Sequence, residues 1–347
     1  MNVLDISRLT TIEVEDYVRS WKAENGIAPI VIAIGATEQH GPTCLIGTDS
    51  QTSLAVARKV CEECDILLGP QLSVGMSLHH CGFAGSTSLR PSTLVNVICD
   101  IVWSLRQSSN FTHFYFINGH GGNVLPIKLA FAILRAKEFP PWSVPSTPIV
   151  PVESNIPLAV NMSGISMFKL DSLQSQARST AVVTEVNATI NKAPFKIEMV
   201  SWYANNESQA LARSLYGDEL GQHATPDEVA ITQFLFPDNI KTAFLDPEIL
   251  KAIPAGMTAR RSEGGSNTEH IISGLLEGIS DEDERNKIMY LGKMALNHMD
   301  PVDFRKRFAD GRMWSNPGLA TEEHGKLLFE TSTKSVVQNF RNFLKQV

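Results

Sequence analysis

At 347 residues the chain is long enough for one large domain or two ordinary ones. Apolar residues make up 43% and charged residues 19%, enough for a sizeable core and not the composition of a disordered chain. A net charge of −7 without a long basic run argues against nucleic acid or an anionic membrane as the partner.

Thr11 to Lys22 reads as a first helix. Ile30-Val31-Ile32-Ala33-Ile34 is a short apolar run of the kind buried in a parallel sheet. It leads into Gly35-Ala36-Thr37-Glu38-Gln39-His40-Gly41-Pro42 and on to Gly47-Thr48-Asp49, so Glu38, His40 and Asp49 share one loop. From Ser50 to Cys64, Leu54, Ala57, Val60, Cys61 and Cys64 recur at helical spacing. The polar groups therefore sit where a strand ends and a helix begins, the edge at which open α/β sheets bind ligands. Asp65 to Pro70 reads as a short strand stopped by Gly-Pro, and a loop rich in Gly and Ser follows from Ser73 to Thr87. Pro91 and Ser92 open a helix, with Ser92 as the expected N-cap and Leu94, Val97, Ile98, Ile101, Val102 and Leu105 as its apolar stripe. Phe114-Tyr115-Phe116-Ile117 is a second buried strand that runs into Asn118-Gly119-His120-Gly121-Gly122-Asn123 and then a helix from Val124 to Lys137. This alternation predicts an α/β fold, a mainly parallel sheet with helices on both faces.

Pro140, Pro141, Pro145, Pro148, Pro151 and Pro157 then mark a stiff connection. Ser143 to Ala193 reads as an insertion rich in Ser, Thr and Asn, with local β structure at Ala181-Val182-Val183. A strand over Ile197 to Trp202, a helix over Glu207 to Tyr216 and a third polar tip over Gly221 to Glu228 follow. Phe244 to Ser280 is irregular, Ser280 with Asp283 starts another helix, and Leu327 to Leu344 closes the chain as a helix. The expected organisation is a single domain over residues 1–347 with insertions at 139–193 and 244–300. No apolar run approaches the ~18–20 residues of a membrane span, and the start Met1-Asn2-Val3-Leu4-Asp5 lacks the regions of a signal peptide. A cytoplasmic location is expected, with the cysteines reduced. Cys61 and Cys64 form a C-x-x-C, read as helix residues rather than a redox or metal pair.

Glu38, His40, Asp49, His120, His223 and Glu228 offer only oxygen and nitrogen donors. Such a set suits Zn, Mn or Fe in a catalytic rather than a structural site. Two ions sharing a carboxylate would hold a hydroxide at neutral pH, the equipment for hydrolysing an amide. Each residue also has a plainer reading. A lone His before a Gly-rich turn is more often a hydrogen-bonded loop residue, Asp49 serves equally as an N-cap, and Glu38 with His40 could be a solvated pair. Asp227, beside Glu228, competes with it as a donor.

The segments at 35–42 and 47–49 resemble the signature of the creatininase family. Asn118 to Asn123 resembles its second motif, His80 with Phe83 and Gly85-Ser86 its H-x-x-F-P-G-T segment, and His223-Ala224 with Glu228 its H-A-G-x-x-E segment. Phe308 to Met313 and Pro317 to Ala320 resemble the family tail. The resemblance implies a creatininase-like α/β amidohydrolase, commonly oligomeric, with two divalent metal ions per chain. Asp49 would bridge them, Glu38 and His120 would hold one, and His40 the other. Where creatininase has a glutamate after the motif histidine this chain has Gly122, so Glu228 becomes the candidate to complete the second site, and His223 would move protons. Thr43-Cys44-Leu45-Ile46, Ala84, Thr225 and Trp314 depart from the family pattern at the pocket rim. The resulting expectation is a cytoplasmic homo-oligomer that cleaves a non-peptide C–N bond of a small cyclic amide, formamide or linear amide through a metal-bound hydroxide. A peptidase acting on a small modified peptide is the alternative within enzymes, and a catalytically silent binding or assembly protein the alternative outside them.

Overall fold

The computed structural model describes residues 4–136, 195–240 and 299–345. Strands β1 (Pro29–Ile34), β2 (His113–Asn118) and β3 (Lys196–Ser201) form a parallel sheet in the order β1-β2-β3. Pro29 pairs with His113 and His113 with Lys196, so all three strands end level, at Ile34, Asn118 and Ser201. Every residue of β1 and β2 is buried. That explains their continuous apolar runs: a strand covered on both faces has no polar side to alternate with. The expected strand at Asp65–Pro70 lies beside β1 as isolated bridges, Val31 with Leu68 and Ile34 with Leu72. The Gly69-Pro70 break keeps them from joining into a regular ladder, since Pro has no N–H to donate.

Successive residues of a strand point to opposite faces, and the two faces carry separate cores. Ile30, Ile32, Ile34, Phe114 and Phe116 pack with α1 (Thr11–Asn25), α3 (Pro91–Ser109) and α4 (Val124–Ala136). Val31, Ala33, Tyr115 and Ile117 pack with α2 (Thr48–Cys64), α5 (Asn206–Tyr216), α6 (Pro226–Leu235) and α8 (Glu322–Lys345). On this second face Tyr115 meets Phe340 and Phe343 at ring separations of 5.0 and 5.2 Å, and its hydroxyl donates to Asn339 Oδ1. Burying each such ring contributes about 1.5–3 kcal/mol. A short helix, α7 (Pro301–Arg307), packs its Phe304 beside the 3₁₀ turn at Leu78–His80.

Local expectations met three corrections. Arg90, not Ser92, is the N-cap of α3, because Pro91 takes the first helical position, where its fixed φ and missing N–H cost nothing. The last helix begins at Glu322, five residues before the apolar period becomes visible at Leu327, because its first turn is polar. Asp49 is the second residue of α2 and caps nothing; the N-cap is Gly47, without a side-chain bond. Cys61 is buried in the core and Cys64 packs partly against it, as expected of helix residues, and all five cysteines are unpaired. The insertion at 139–193, its strand at Ala181–Val183, the irregular stretch from Phe244 and the helix from Ser280 lie outside the described residues, as does all but the end of 244–300.

His113, at the start of β2, is buried with its Nδ1 3.0 Å from Thr112 Oγ1 and its ring edge-on to Phe343. Burial, with Lys196 adding, pushes its pKa down to about 4. The unfolded histidine, near 6.5, takes up a proton that the folded one refuses. Stability contributed by this group is therefore present above pH 6.5 and lost as pH falls toward 4, on the order of 2–3 kcal/mol in all. His113→Gln should flatten the fall in urea midpoint between pH 7 and pH 4.5; an identical fall in both proteins would contradict the assignment.

Candidate metal centre

The carboxyl ends of β1 and β2 carry the site. Glu38 and His40 follow β1, Asp49 stands in the first turn of α2, and His120 follows β2. The turn at Leu78–His80 brings His80, and the loop ahead of α6 brings His223. All six are buried. His40 Nε2 lies 3.0 Å from Asp49 Oδ1, while His120 Nδ1 lies 3.0 Å from Asp49 Oδ2 and 3.2 Å from Glu38 Oε1. Asp49 thus stands between the two rings, one oxygen to each. His80 Nε2 and His223 Nδ1 approach Glu38 Oε1 at 3.5 and 3.7 Å.

These groups fit a divalent cation. His40 Nδ1 lies 3.2 Å from the Glu38 backbone carbonyl and His120 Nε2 lies 3.0 Å from the Met76 carbonyl. A carbonyl only accepts, so those nitrogens carry the protons. The opposite nitrogens, which face the carboxylates, are then bare in the neutral rings. Such outer bonds orient ligating histidines in metal sites. His40 Nε2, Asp49 Oδ2 and both carboxylate oxygens of Glu38 are buried with no hydrogen-bond partner. Buried lone pairs facing one another are costly unless a proton or a cation lies among them.

The electrostatics agree. Burial pushes the Glu38 carboxyl up, only partly offset by His120. Burial also opposes charge on His40, yet Asp49 outweighs it and holds that ring well above its usual value. The same contest at His120 is won by Glu38 and Asp49. Asp49 itself is driven below the usual carboxylate range, because His40 and His120 overcome its burial. Cations are favoured where these carboxylates meet.

The family model described as creatininase, creatinine amidohydrolase, matches residues 8–340. The chain belongs to the creatininase family. Its members are hydrolases. A manganese form of creatininase is 19% identical, with a TM-score of 0.59 over 99% of this chain and 100% of that one. A zinc–zinc form of a creatininase variant is 18% identical, with a TM-score of 0.59 over 99% and 100%. At that identity the likeness speaks for the fold. The mycofactocin precursor peptide peptidase of Mycolicibacterium smegmatis is 34% identical over 113 residues, 30% of this chain and 44% of that protein. The matched stretch thus spans under half of that relative.

Within this creatininase-family chain, Glu38, His40, Asp49, His120 and His223 come together as the motifs suggest. Glu228 is the exception in its hydrogen bonding. It caps α6, its Oε2 accepting from the Thr225 N–H and hydroxyl at 2.9 Å each. The groupings whose ligand atoms all lie within 4.8 Å of one another are Glu38–His40–Asp49 and Glu38–His80–His223, among the described residues; Glu228 is in neither. Burial, joined by Asp49 and Asp227, pushes its pKa up to about 7 against the pull of His40. Gly122 cannot carry a glutamate here. A Cβ on it would fall 2.3 Å from the Met76 carbonyl oxygen and 2.4 Å from His120 Nε2, the very bond that turns the His120 ring. Sequence reasoning quoted His80 only as part of a motif and gave Gln39 no role, yet both sit inside the cluster. A polar residue between two candidate ligands was the available signal.

Proposed function

We propose that the chain is a divalent-metal-dependent amidohydrolase that cleaves a non-peptide C–N bond in a small cyclic amide, formamide or linear amide. The observation that carries this reading is the set of buried, unpartnered donor atoms on Glu38, His40 and Asp49, with His120 facing them. Glu38, His40, Asp49 and His120, with Glu228, would hold up to two ions of Zn, Mn or Fe, with Asp49 shared. Such an ion supplies Lewis acidity and lowers the pKa of water toward neutrality. The chain supplies the rest. His223, buried and held well below its usual pKa by burial and His40, is neutral at pH 7. Its bare Nδ1 faces Glu38, where it would accept the proton lost by the attacking water and pass it to the nitrogen that leaves as the C–N bond breaks. Phe304 packs edge-on against His80 at 4.7 Å and closes that side to water.

Purified protein loaded with zinc or manganese should hydrolyse members of a panel of lactams, formamides and linear amides, with activity lost to chelator and restored by the metal. The peptidase alternative draws on the likeness to the mycofactocin precursor peptide peptidase of Mycolicibacterium smegmatis; cleavage of short modified peptides in preference to the amides would favour it. No turnover of either class at full metal load would leave the silent binding protein. For Glu228, Glu228→Gln should weaken one of the ions proposed here, whereas Asp227→Asn, at a carboxyl that burial pushes up and so makes a weaker anion, should change the metal count little. Equal losses in elemental analysis would move the ligand to the pair or to Asp227.

The single-domain reading over 1–347, the cytoplasmic location and the homo-oligomeric state belong to this proposal too. No helix among the described residues is long and apolar enough to cross a membrane. Light scattering on a chain lacking residues 163–179 would test whether the first insertion supports assembly.

A further inference from the structure

A buried glutamine stands among the histidines. Two backbone groups fix the orientation of the Gln39 amide: Oε1 accepts from the Gly41 N–H at 2.9 Å, and Nε2 donates to the Gly311 carbonyl at 3.0 Å. Turning the amide over would set donor against donor and acceptor against acceptor. The amide nitrogen has a second hydrogen and two ring nitrogens within reach, His80 Nδ1 at 2.8 Å and His223 Nε2 at 3.0 Å; His223 Nε2 itself donates to the Gln39 backbone carbonyl at 2.7 Å and has no lone pair to offer, so the amide hydrogen goes to His80. A glutamine nitrogen only donates, so His80 Nδ1 is the bare nitrogen and the ring proton sits on Nε2. His223 is set the other way round. Its Nε2 lies 2.7 Å from the backbone carbonyl of the same Gln39, so Nε2 carries the proton and Nδ1 is bare. The two rings stack at 4.1 Å with 25° between their planes. Toward Glu38 Oε1, His80 therefore presents an N–H at 3.5 Å and His223 a lone pair at 3.7 Å.

By distance alone, Glu38, His80 and His223 look like a second metal pocket. The hydrogen bonds decide otherwise, because a ligating nitrogen must be bare and the inward nitrogen of His80 is not. We infer that Gln39 is a positioning residue that fixes His80 and His223 as a donor–acceptor pair beside Glu38, a pair that reads the carbonyl oxygen and the N–H of an amide and holds no metal ion. The amide is the part that rests on the function proposed above; the tautomers do not depend on it. Gly311 supports the arrangement from the C-terminal loop. It has φ +89°, and a Cβ there would fall 1.8 Å from Gln39 Oε1 and 2.4 Å from its Cδ. Only glycine lets that loop close on the amide.

Long-range ¹H–¹⁵N spectra of the full chain, metal-free and zinc-loaded, read the tautomers directly. Both His80 and His223 should be protonated on Nε2 alone in each state. Gln39→Met removes the amide at similar length, and His80 should then become a mixture of tautomers. Zinc per chain should stay unchanged, with turnover of a cleaved amide down about 10–100-fold. Gly311→Ala, which pushes the amide from another loop, should move the same His80 signals, so the result does not hang on one variant. Loss of the His80 Nε2 proton on adding zinc, or a lower zinc count in His80→Gln, would establish a metal pocket and overturn the inference. An unchanged His80 tautomer in Gln39→Met would overturn the role of Gln39. If zinc-loaded wild type cleaves no amide, the amide assignment falls with the proposed function, and the spectra still decide the pair.

Discussion

Asp49→Ala should lose the metal proposed here, both ions where two are bound, and with it nearly all turnover. Among the described residues, Asp49 is the one carboxylate that touches both His40 and His120, at 3.0 Å through different oxygens. Glu38 reaches His120 at 3.2 Å, and with its pKa raised by burial it is the weaker anion in the absence of metal. Removing one member of a buried charged cluster costs about 3–5 kcal/mol. If the same loss appears in the transition state, turnover falls about 10²- to 10⁴-fold. The alanine leaves no oxygen at the shared position, and among the described residues no neighbour is placed to supply both contacts. Elemental analysis after gel filtration measures the metal and a substrate panel the turnover. A full metal load in Asp49→Ala would defeat the bridging assignment.

Gly119→Ala should reach the same carboxylate without changing any candidate ligand. A Cβ at Gly119 would fall 2.2 Å from the Asp49 carbonyl oxygen, 3.0 Å from its carbonyl carbon and 3.2 Å from Ser53 Cβ. The obstruction is helix backbone, which cannot step aside as a flexible side chain would, so the first turn of α2 has to shift and carry Asp49 with it. Overpacking of this kind costs about 1–3 kcal/mol, and a displacement of about 1 Å near the chemistry costs about 10²-fold in rate. Two residues on, Gly121 gives the control. A Cβ there meets only the Tyr203 hydroxyl, at 3.8 Å, an ordinary contact. Gly121→Ala should stay within about 0.5 kcal/mol of the parent in stability and keep its metal. Thermal melts and metal counts on the two variants separate them; wild-type metal and turnover in Gly119→Ala would show that α2 yields without moving its carboxylate.

The same carboxylate marks how far the sequence reaches. Strands β1 and β2 were visible as apolar runs because burial on both faces leaves an unbroken signature. The junctions after them were visible because a strand pattern gives way to Gly-rich polar residues and then to helical spacing. Parallel alternation placed both junctions at one edge of the sheet, and so put Glu38, His40, Asp49 and His120 within reach of each other before any distance was known. Residue types and order were enough for that.

What the sequence left open was how each group is turned. Asp49 read equally as a cap or a ligand, and only the start of α2 at Thr48 frees its carboxylate. Glu228 read as a ligand, yet Thr225-Pro226-Asp227-Glu228 also has the spacing of a capping box, so one residue type at one position fits both roles, and only the structure shows the carboxylate bonded to Thr225. His80 sits in a Gly- and Ser-rich stretch that carries no period. It joins a glutamine 41 residues before it, which in turn meets a histidine 184 residues after that glutamine. Whether an imidazole is a ligand, a donor or an acceptor depends on which ring nitrogen a carbonyl or amide holds from behind. Those partners, the Met76, Glu38 and Gln39 carbonyls and the Gln39 amide, are supplied mostly by backbone, which is the same in every sequence. Only the packed chain decides where backbone points, and so only the tertiary structure gave these histidines their separate roles.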